Sequence, residues 1–252
     1  MWLTYYSIFM AIFYVIGTPI GNLEDITLRA IRIMKEVDLV LCEDTRMTRK
    51  LFDKYAIPTA SMSYHAQSKL SKTDTILDML AAGKNLALVS DAGTPGISDP
   101  GSMLVSKIRE RFAPELAAGE MKIESIPGPS ALTAALSIAG VPCSDFTFLG
   151  FLPHKKGRET LFKEMIASER TTVFYESPHR ILKALESIAA LSAEPAEKSY
   201  KDKELSPKRL TIARELTKMF EQIVSGTPAE VLAYFNAHPD KVRGEFVVII
   251  SA

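Results

Sequence analysis

Short runs of aliphatic and β-branched residues alternate with helical patterns through the first half of the chain, and this alternation constrains the fold most. Phe13–Ile16, Leu39–Cys42, Leu86–Ser90 and Lys122–Ile126 are each four to five residues long, the length of a buried strand. Between the first two, Ile26, Ala30, Ile33 and Val37 recur at helical spacing and give one apolar face. Strands separated by helices predict an α/β domain with a largely parallel sheet. The runs lead into loops rich in Gly, Pro, Ser and Asp. Open α/β sheets hold their ligands at such loops, beyond the carboxyl ends of the strands.

Around Gly140-Val141-Pro142 the pattern pauses and a second set begins. Thr147–Phe151 and Thr171–Tyr175 read as strands, Ile181, Leu182, Leu185, Ile188 and Ala189 as a helix face, and Phe246–Ile250 as a closing strand. Leu191–Lys208 is polar, charged and Pro-bearing, which predicts a solvated loop or disordered insertion. The expected organisation is an N-terminal αβ domain over 11–126, a connecting helix and linker over 127–145, and a C-terminal αβ domain over 146–252 carrying the insertion 191–208.

Ahead of these lies an uncharged stretch, Trp2–Ile16. It lacks the basic region and cleavage site of a secretory signal, and it is shorter than the roughly 20 residues that span a bilayer. Met10 directly precedes the first strand, so Met1–Phe9 reads as an upstream extension, with the start at Met1 or Met10. Cys42 and Cys143 stand far apart with no CxxC, as expected of two small buried hydrophobes in a reducing cytoplasm. His65, His154, His179 and His238 are scattered; without ligand spacing, no metal is expected.

Thirty Lys and Arg balance thirty Asp and Glu. Divided after Asp145, the chain carries 14 basic against 16 acidic residues, then 16 against 14. Neither part is basic, which excludes a generic electrostatic grip on nucleic acid and leaves only local clusters for that purpose.

Four motif groups stand out. Gly17-Thr18-Pro19-Ile20-Gly21-Asn22 follows the first strand but is neither G-x-G-x-x-G nor a P-loop; a simple turn remains open. Ser90–Gly101 holds three Gly, two Pro and two Asp, so a backbone approaches something closely there. Asp99-Pro100 also reads as a helix start, with Pro100 at the first helical position. Pro127-Gly128-Pro129-Ser130-Ala131 places small residues at a helix N-terminus, where N–H groups can meet a ligand. The last group comprises Phe174–Arg180 and Ala213–Lys218.

Taken in order, IGTPIGNLEDITLRA from Ile16, EDTR from Glu43, ALVSDAGTPGISDPG from Ala87, PGPSALTAA from Pro127, GFLP from Gly150, FYESPHR from Phe174 and ARELTK from Ala213 resemble the tetrapyrrole-methylase superfamily of S-adenosylmethionine-dependent methyltransferases. Within it they resemble the branch that methylates a cytidine ribose 2′-hydroxyl in small-subunit ribosomal RNA. The resemblance covers the chain from about Ala11 onward, apart from the charged insertion. It implies a class III methyltransferase fold, with two αβ domains and a cofactor cleft between them. It also implies a homodimer, a small ribosomal subunit or its rRNA as partner, a cytoplasmic setting and no membrane. Carried over residue by residue, it assigns Pro19, Asp91, Ala92, Gly93, Thr94, Ile97, Ser130, Ala131, Tyr175 and Glu176 to the cofactor. The porphyrin-modifying relatives carry Met where this chain has Glu176, a departure that favours the RNA branch. In the cofactor loop, Gly93→Val is expected to abolish binding while sparing the fold.

Methyl transfer from a sulfonium is an in-line displacement, and alignment alone can supply roughly 7–11 kcal/mol of the barrier. A base, or a charge that stabilises the developing alkoxide, would help a poor nucleophile such as a ribose hydroxyl. Asp44, Arg46, Glu176, Arg180, Arg214, Glu215 and Lys218 are charged and lie in the motifs. Of these, Arg46, Arg214 and Asp44 are the catalytic candidates, with a structural ion-pair network as the competing reading. Arg49 and Lys50 after the second strand, Lys155, Lys156 and Arg158 after GFLP, and Arg180 are the candidate RNA contacts, against the alternative of exposed helix faces. Two other functions stay open: methylation of a tetrapyrrole, and a non-catalytic cofactor-binding module in ribosome assembly.

Overall fold

The computed structural model describes residues 11–65, 70–99, 101–193 and 207–251. The expected extension over 1–10, Pro100 and residues 194–206 of the charged segment lie outside them. The chain divides into two compact units between Ser130 and Ala131.

The first unit is built on β1 (Ala11–Ile16), β2 (Leu39–Cys42), β3 (Ser61–Ser63), β4 (Leu86–Val89) and β5 (Met121–Ile126). They form one sheet in the order β3-β2-β4-β1-β5, and every pairing is parallel. Its helices are α1 (Leu28–Glu36), α2 (Thr45–Tyr55), α3 (Leu70–Ala81), α4 (Gly101–Arg111) and α5 (Ala113–Ala118). β4 shows why the sheet is covered on both faces: all of Leu86-Ala87-Leu88-Val89 is buried. Ala87 and Val89 join Ile33 and Met34 of α1 and Leu51 and Phe52 of α2. Leu86 and Leu88 join Ile76 and Leu80 of α3 and Leu104 and Ile108 of α4. Burial on both faces selects continuous aliphatic runs instead of alternation. The Ile26, Ala30, Ile33 and Val37 face is buried as expected, and Thr27 caps α1 by accepting from the Ala30 N–H at 3.1 Å.

Three strands escaped the sequence reading. β3 is a three-residue edge strand, Ser-Met-Ser, with no aliphatic run to mark it. β8 and β9 belong to the second unit.

That unit holds β6 (Phe146–Phe151), β7 (Thr171–Glu176), β8 (Arg209–Arg214), β9 (Gln222–Gly226) and β10 (Phe246–Ser251), in the order β6-β7-β10-β8-β9. β6 and β7 run parallel, and the remaining pairs are antiparallel. Helices α6 (Ala131–Ile138), α7 (Arg158–Ala167), α8 (Ile181–Ala193) and α9 (Pro228–Ala237) complete it. Phe162, Ile181, Leu185, Ile188, Val231 and Phe235 pack from α7, α8 and α9 on Phe174, Leu210, Ile212, Phe246 and Val248. α9 starts on a full capping box, Thr227 with Glu230, and Pro228 sits in its first turn.

Three expectations change here. The helix read as a connector, α6, falls within the second unit. Leu191–Ala193 of the charged segment is the last turn of α8, and Lys208 at its far end is buried, its ammonium donating to the Ser168 carbonyl at 2.5 Å. Burial pulls that ammonium's pKa below the ordinary lysine value. Cys42 is buried, but Cys143, in the loop between α6 and β6, is exposed. Among the described residues no helix is long and apolar enough to cross a membrane.

Candidate active site

In the first unit the motif loops leave the carboxyl ends of four neighbouring strands, β2, β4, β1 and β5. Their backbones are tied to one another before any ligand is considered. Thr18 and Gly93 exchange both main-chain hydrogen bonds, at 2.9 and 3.1 Å. The Thr18 hydroxyl donates to the Ser90 carbonyl at 3.0 Å and the Ser90 hydroxyl donates to the Gly93 carbonyl at 3.0 Å. The Thr94 hydroxyl donates to the Pro129 carbonyl at 3.3 Å. Gly17 and Gly128 lie back to back: a Cβ on Gly17 would stand 2.8 Å from the Gly128 Cα, and one on Gly128 2.7 Å from the Gly17 carbonyl oxygen. Asp99 shapes the far end of its loop by accepting from the N–H groups of Gly96 and Gly101 at 2.7 and 2.8 Å.

This pattern revises the role of Gly93. A side chain there would meet Ile20 and the Pro129 carbonyl only at 3.5 and 3.6 Å, ordinary contact distances, but its φ is +84°. Val at 93 therefore strains the backbone of the loop, and the fold is not spared as the sequence suggested. Pro19 is buried, whereas Asp91, Ala92 and Ile97 present exposed side chains and Thr94 and Ser130 are half-buried.

The β2 and β4 loops clasp each other through carboxylates. Asp91 Oδ1 accepts from the Asp44 N–H at 3.0 Å, and Glu43 Oε1 accepts from the Asp91 N–H at 3.3 Å. Asp44 caps α2, accepting from the Arg46 N–H at 2.8 Å, and it also pairs with the Arg46 guanidinium at 2.6 Å. These hydrogen bonds hold the Asp44 carboxyl down at about 2, so it is ionised near neutrality and is a poor proton acceptor. Arg46 itself is 88% exposed. Glu43 behaves oppositely: burial, reinforced by the neighbouring Asp91 charge, pushes its carboxyl above the ordinary 4.5. It stands in the quoted motif, yet sequence alone offered no sign that this carboxylate, and not Asp44, is the one displaced upward.

The upward displacement has a testable sign. Ionising Glu43 costs the folded state more than the unfolded one, so wild-type stability declines as pH rises through the Glu43 pKa. Glu43→Gln keeps an acceptor for the Asp91 N–H and carries no charge. Thermal melts are expected to show the variant gaining on wild type as pH rises from the ordinary carboxylate value of 4.5; a variant that loses ground over that rise contradicts the assignment.

In the second unit Glu176 is buried. Its carboxylate is fully enclosed and is held by Arg158 at 2.5 Å and Arg180 at 2.7 Å, whose side chains are only 14% and 19% exposed. The Ser177 N–H donates to it at 2.8 Å, and both guanidinium groups continue to carbonyls, Pro153 from Arg158 and Leu152 from Arg180. Glu176, read for the cofactor, and Arg158 and Arg180, read for RNA, thus have their side chains joined in one ion triad. Tyr175 points elsewhere: its hydroxyl oxygen accepts from the Leu132 N–H at 3.1 Å, in the first turn of α6 that begins at Ala131. Part of the N-terminal N–H set that sequence reserved for a ligand is therefore occupied from within.

Arg214 is buried as well. Its guanidinium donates to the Phe220 and Arg243 carbonyls at 3.3 and 3.1 Å and to Gln222 at 3.4 Å, and its Nε has no hydrogen-bond partner among the described residues. It binds together the loop that follows β8, where Glu215 and Thr217 adopt positive φ and Lys218 pairs with Glu215 at 3.0 Å. Of the RNA candidates, Arg49 pairs with Asp53 at 2.8 Å on an exposed turn of α2, and Lys50 is exposed beside the Met47 sulfur. Lys155 and Lys156 are exposed and form no ion pair with a described residue.

The family model of tetrapyrrole (corrin/porphyrin) methylases matches residues 13–232. The chain belongs to this family. Within the methylases, it is 43% identical over 245 residues to the ribosomal RNA small subunit methyltransferase I of Synechocystis sp., covering 96% of this chain and 79% of that protein. It is 40% identical to the protein of the same name from Thermotoga maritima, covering 94% and 96%. Among solved structures it resembles a cobalt precorrin-4 methyltransferase of cobalamin biosynthesis, with a TM-score of 0.62 at 15% identity over 99% and 98% of the two chains. That likeness carries the fold alone.

The methylase loops of the first unit suit the family's cofactor chemically. S-adenosylmethionine carries a sulfonium and an ammonium group, and Glu43, Asp44, Asp91 and Asp99 set negative charge around the loops of β2 and β4. Exposed Ala92 and Ile97 offer apolar surface in the same loop. The acidic groups suit the two cationic groups, and the apolar side chains suit the faces of the adenine ring.

Proposed function

We propose that this chain transfers the methyl group of S-adenosylmethionine to the 2′-hydroxyl of a cytidine ribose in small-subunit ribosomal RNA. The observation that carries the reading is about 40% identity, across nearly the whole chain, to relatives named ribosomal RNA small subunit methyltransferase I. Likeness to the cobalt precorrin-4 methyltransferase stands at 15% identity and supports no tetrapyrrole substrate.

When bound, the cofactor supplies an electrophilic methyl on a sulfonium. The residues proposed to hold it in the first unit are Pro19, Asp91, Ala92, Gly93, Thr94, Ile97 and Ser130. Gly93 and Thr94 act through their loop-to-loop hydrogen bonds. Arg46 is the proposed catalytic cation: a guanidinium on an exposed side chain, steered by Asp44, can approach the oxygen on which negative charge develops. Asp44 orients Arg46, and Arg214 is a positioning residue for the loop after β8. Lys50, Lys155 and Lys156, with Arg49, are the proposed phosphate contacts. A cytoplasmic homodimer is part of the proposal, since two-fold pairing is the commonest assembly of soluble chains.

The test joins calorimetry with S-adenosylmethionine to a tritiated-methyl assay on small subunits, free rRNA and a porphyrin precursor. Cofactor binding with label in rRNA is expected. Label in the porphyrin precursor, or binding without any transfer, would overturn the reading. Arg46→Ala is expected to lower kcat by on the order of 100-fold with little change in cofactor affinity; an unchanged kcat removes Arg46 from the chemistry.

A further inference from the structure

In the motif GFLP, Leu152 and Pro153 lend carbonyls to the Glu176 triad, while Gly150 and Phe151 have had no role so far. These two end β6, the edge strand of the second sheet. Phe148 lies opposite Val173 and Phe151 opposite Tyr175, so three steps on β6 match two on β7. The extra residue is a bulge, and Gly150 takes it with φ +60°. Without it, Phe148 and Phe151 would point to opposite faces. With it, both rings meet Tyr175 edge-on, at centroid distances of 5.0 and 5.4 Å. Tyr175 is itself anchored through its hydroxyl to the Leu132 N–H.

The outcome is a braced aromatic ring that stays 58% exposed. Burying Phe151 would be favourable, so a backbone irregularity that holds it in the open invites an occupant. His154, Lys155 and Lys156 come directly after the motif, all exposed, and neither lysine has an ion-pair partner among the described residues. A fixed ring next to uncompensated cations matches a nucleic-acid strand, in which a base has a π-face and its neighbours carry phosphates.

We propose that Phe151, held edge-on by Tyr175 at the Gly150 bulge, is the platform on which an unpaired base of the RNA substrate stacks, with Lys155 and Lys156 taking the adjacent phosphates. The inference rests on the rRNA reading above and names the surface that holds the strand.

Phe151→Ala and Phe151→Trp test it, the latter in a Trp2→Phe background because Trp2 is the chain's one tryptophan. Loss of a stacked base is expected to raise KM for rRNA roughly 5- to 100-fold. The expected companions are a kcat within about threefold of wild type and unaltered S-adenosylmethionine affinity and elution volume. Phe151→Trp should restore KM, and its fluorescence should be quenched by single-stranded RNA with a salt-dependent midpoint that weakens in Lys155→Ala/Lys156→Ala. An unchanged KM with no quenching overturns the proposal. A shifted elution volume gives the face to a second copy of the chain, and a loss of cofactor affinity gives it to the cofactor; either overturns it too. If wild type methylates no rRNA, the rRNA reading fails, while the quenching measurement still decides whether Phe151 stacks a base.

Discussion

Glu176→Ala is expected to destabilise the second unit by about 3–5 kcal/mol, the cost of leaving buried charges without their counter-ion. The carboxylate is completely enclosed, and both guanidinium groups that lose it, Arg158 and Arg180, are themselves largely buried. Neither can turn to water without giving up a carbonyl partner at Pro153 or Leu152. In a chain of this size the change corresponds to a fall of roughly 10 °C in melting temperature. Glu176→Gln, which keeps the acceptor but not the charge, should fall between the two. Urea melts of the three proteins check the order; Glu176→Ala within about 1 kcal/mol of wild type would show that the triad adds little to stability.

The second large effect is expected at Gly17 and Gly128. Each would place a new Cβ 2.7–2.8 Å from main-chain atoms of the other's loop, and backbone cannot step aside as a flexible side chain can. Alanine at either position should cost about 1–3 kcal/mol of stability. Activity should suffer more. The β1 and β5 loops would be forced apart beside Thr94 and Pro129, and a displacement near 1 Å is enough to lower the rate by on the order of 100-fold. Comparing melting temperature with methyl transfer separates the two effects; full activity in Gly128→Ala would mean that the loop contact is dispensable.

Most of the first sheet was readable because burial on both faces leaves aliphatic runs that need no alternation to stand out, as in Leu39–Cys42 and Leu86–Val89. β8 and β9 were not. Arg209–Arg214 is bounded by arginines, and Gln222–Gly226 buries none of its five residues fully, so neither stands out as an apolar run. The motif loops were legible as loops, since Gly, Pro and Asp after a strand have few other uses. What each residue does inside them was not, because it depends on contacts far apart in sequence. Gly17 needs Gly128, Glu176 needs Arg158, and Asp91 needs Glu43. The charges suffered most. Arg158, Arg180 and Arg214 look in sequence like any basic residue available to RNA, and the fold encloses all three. Lys155 and Lys156 look the same and remain exposed. Composition left only local clusters as candidates, and burial decides which of them stay exposed.

Methylation of a ribose in small-subunit RNA is tested most directly by mapping that methyl group. Small subunits from cells lacking this protein are incubated with the purified chain and S-adenosylmethionine, and their rRNA is digested and read by mass spectrometry. The predicted result is a single cytidine that gains one methyl on its ribose, at a rate lower by on the order of 100-fold with Gly128→Ala. Methyl on a base, methyl on no nucleotide at all, or the same modification already present in the cells lacking the protein would contradict it.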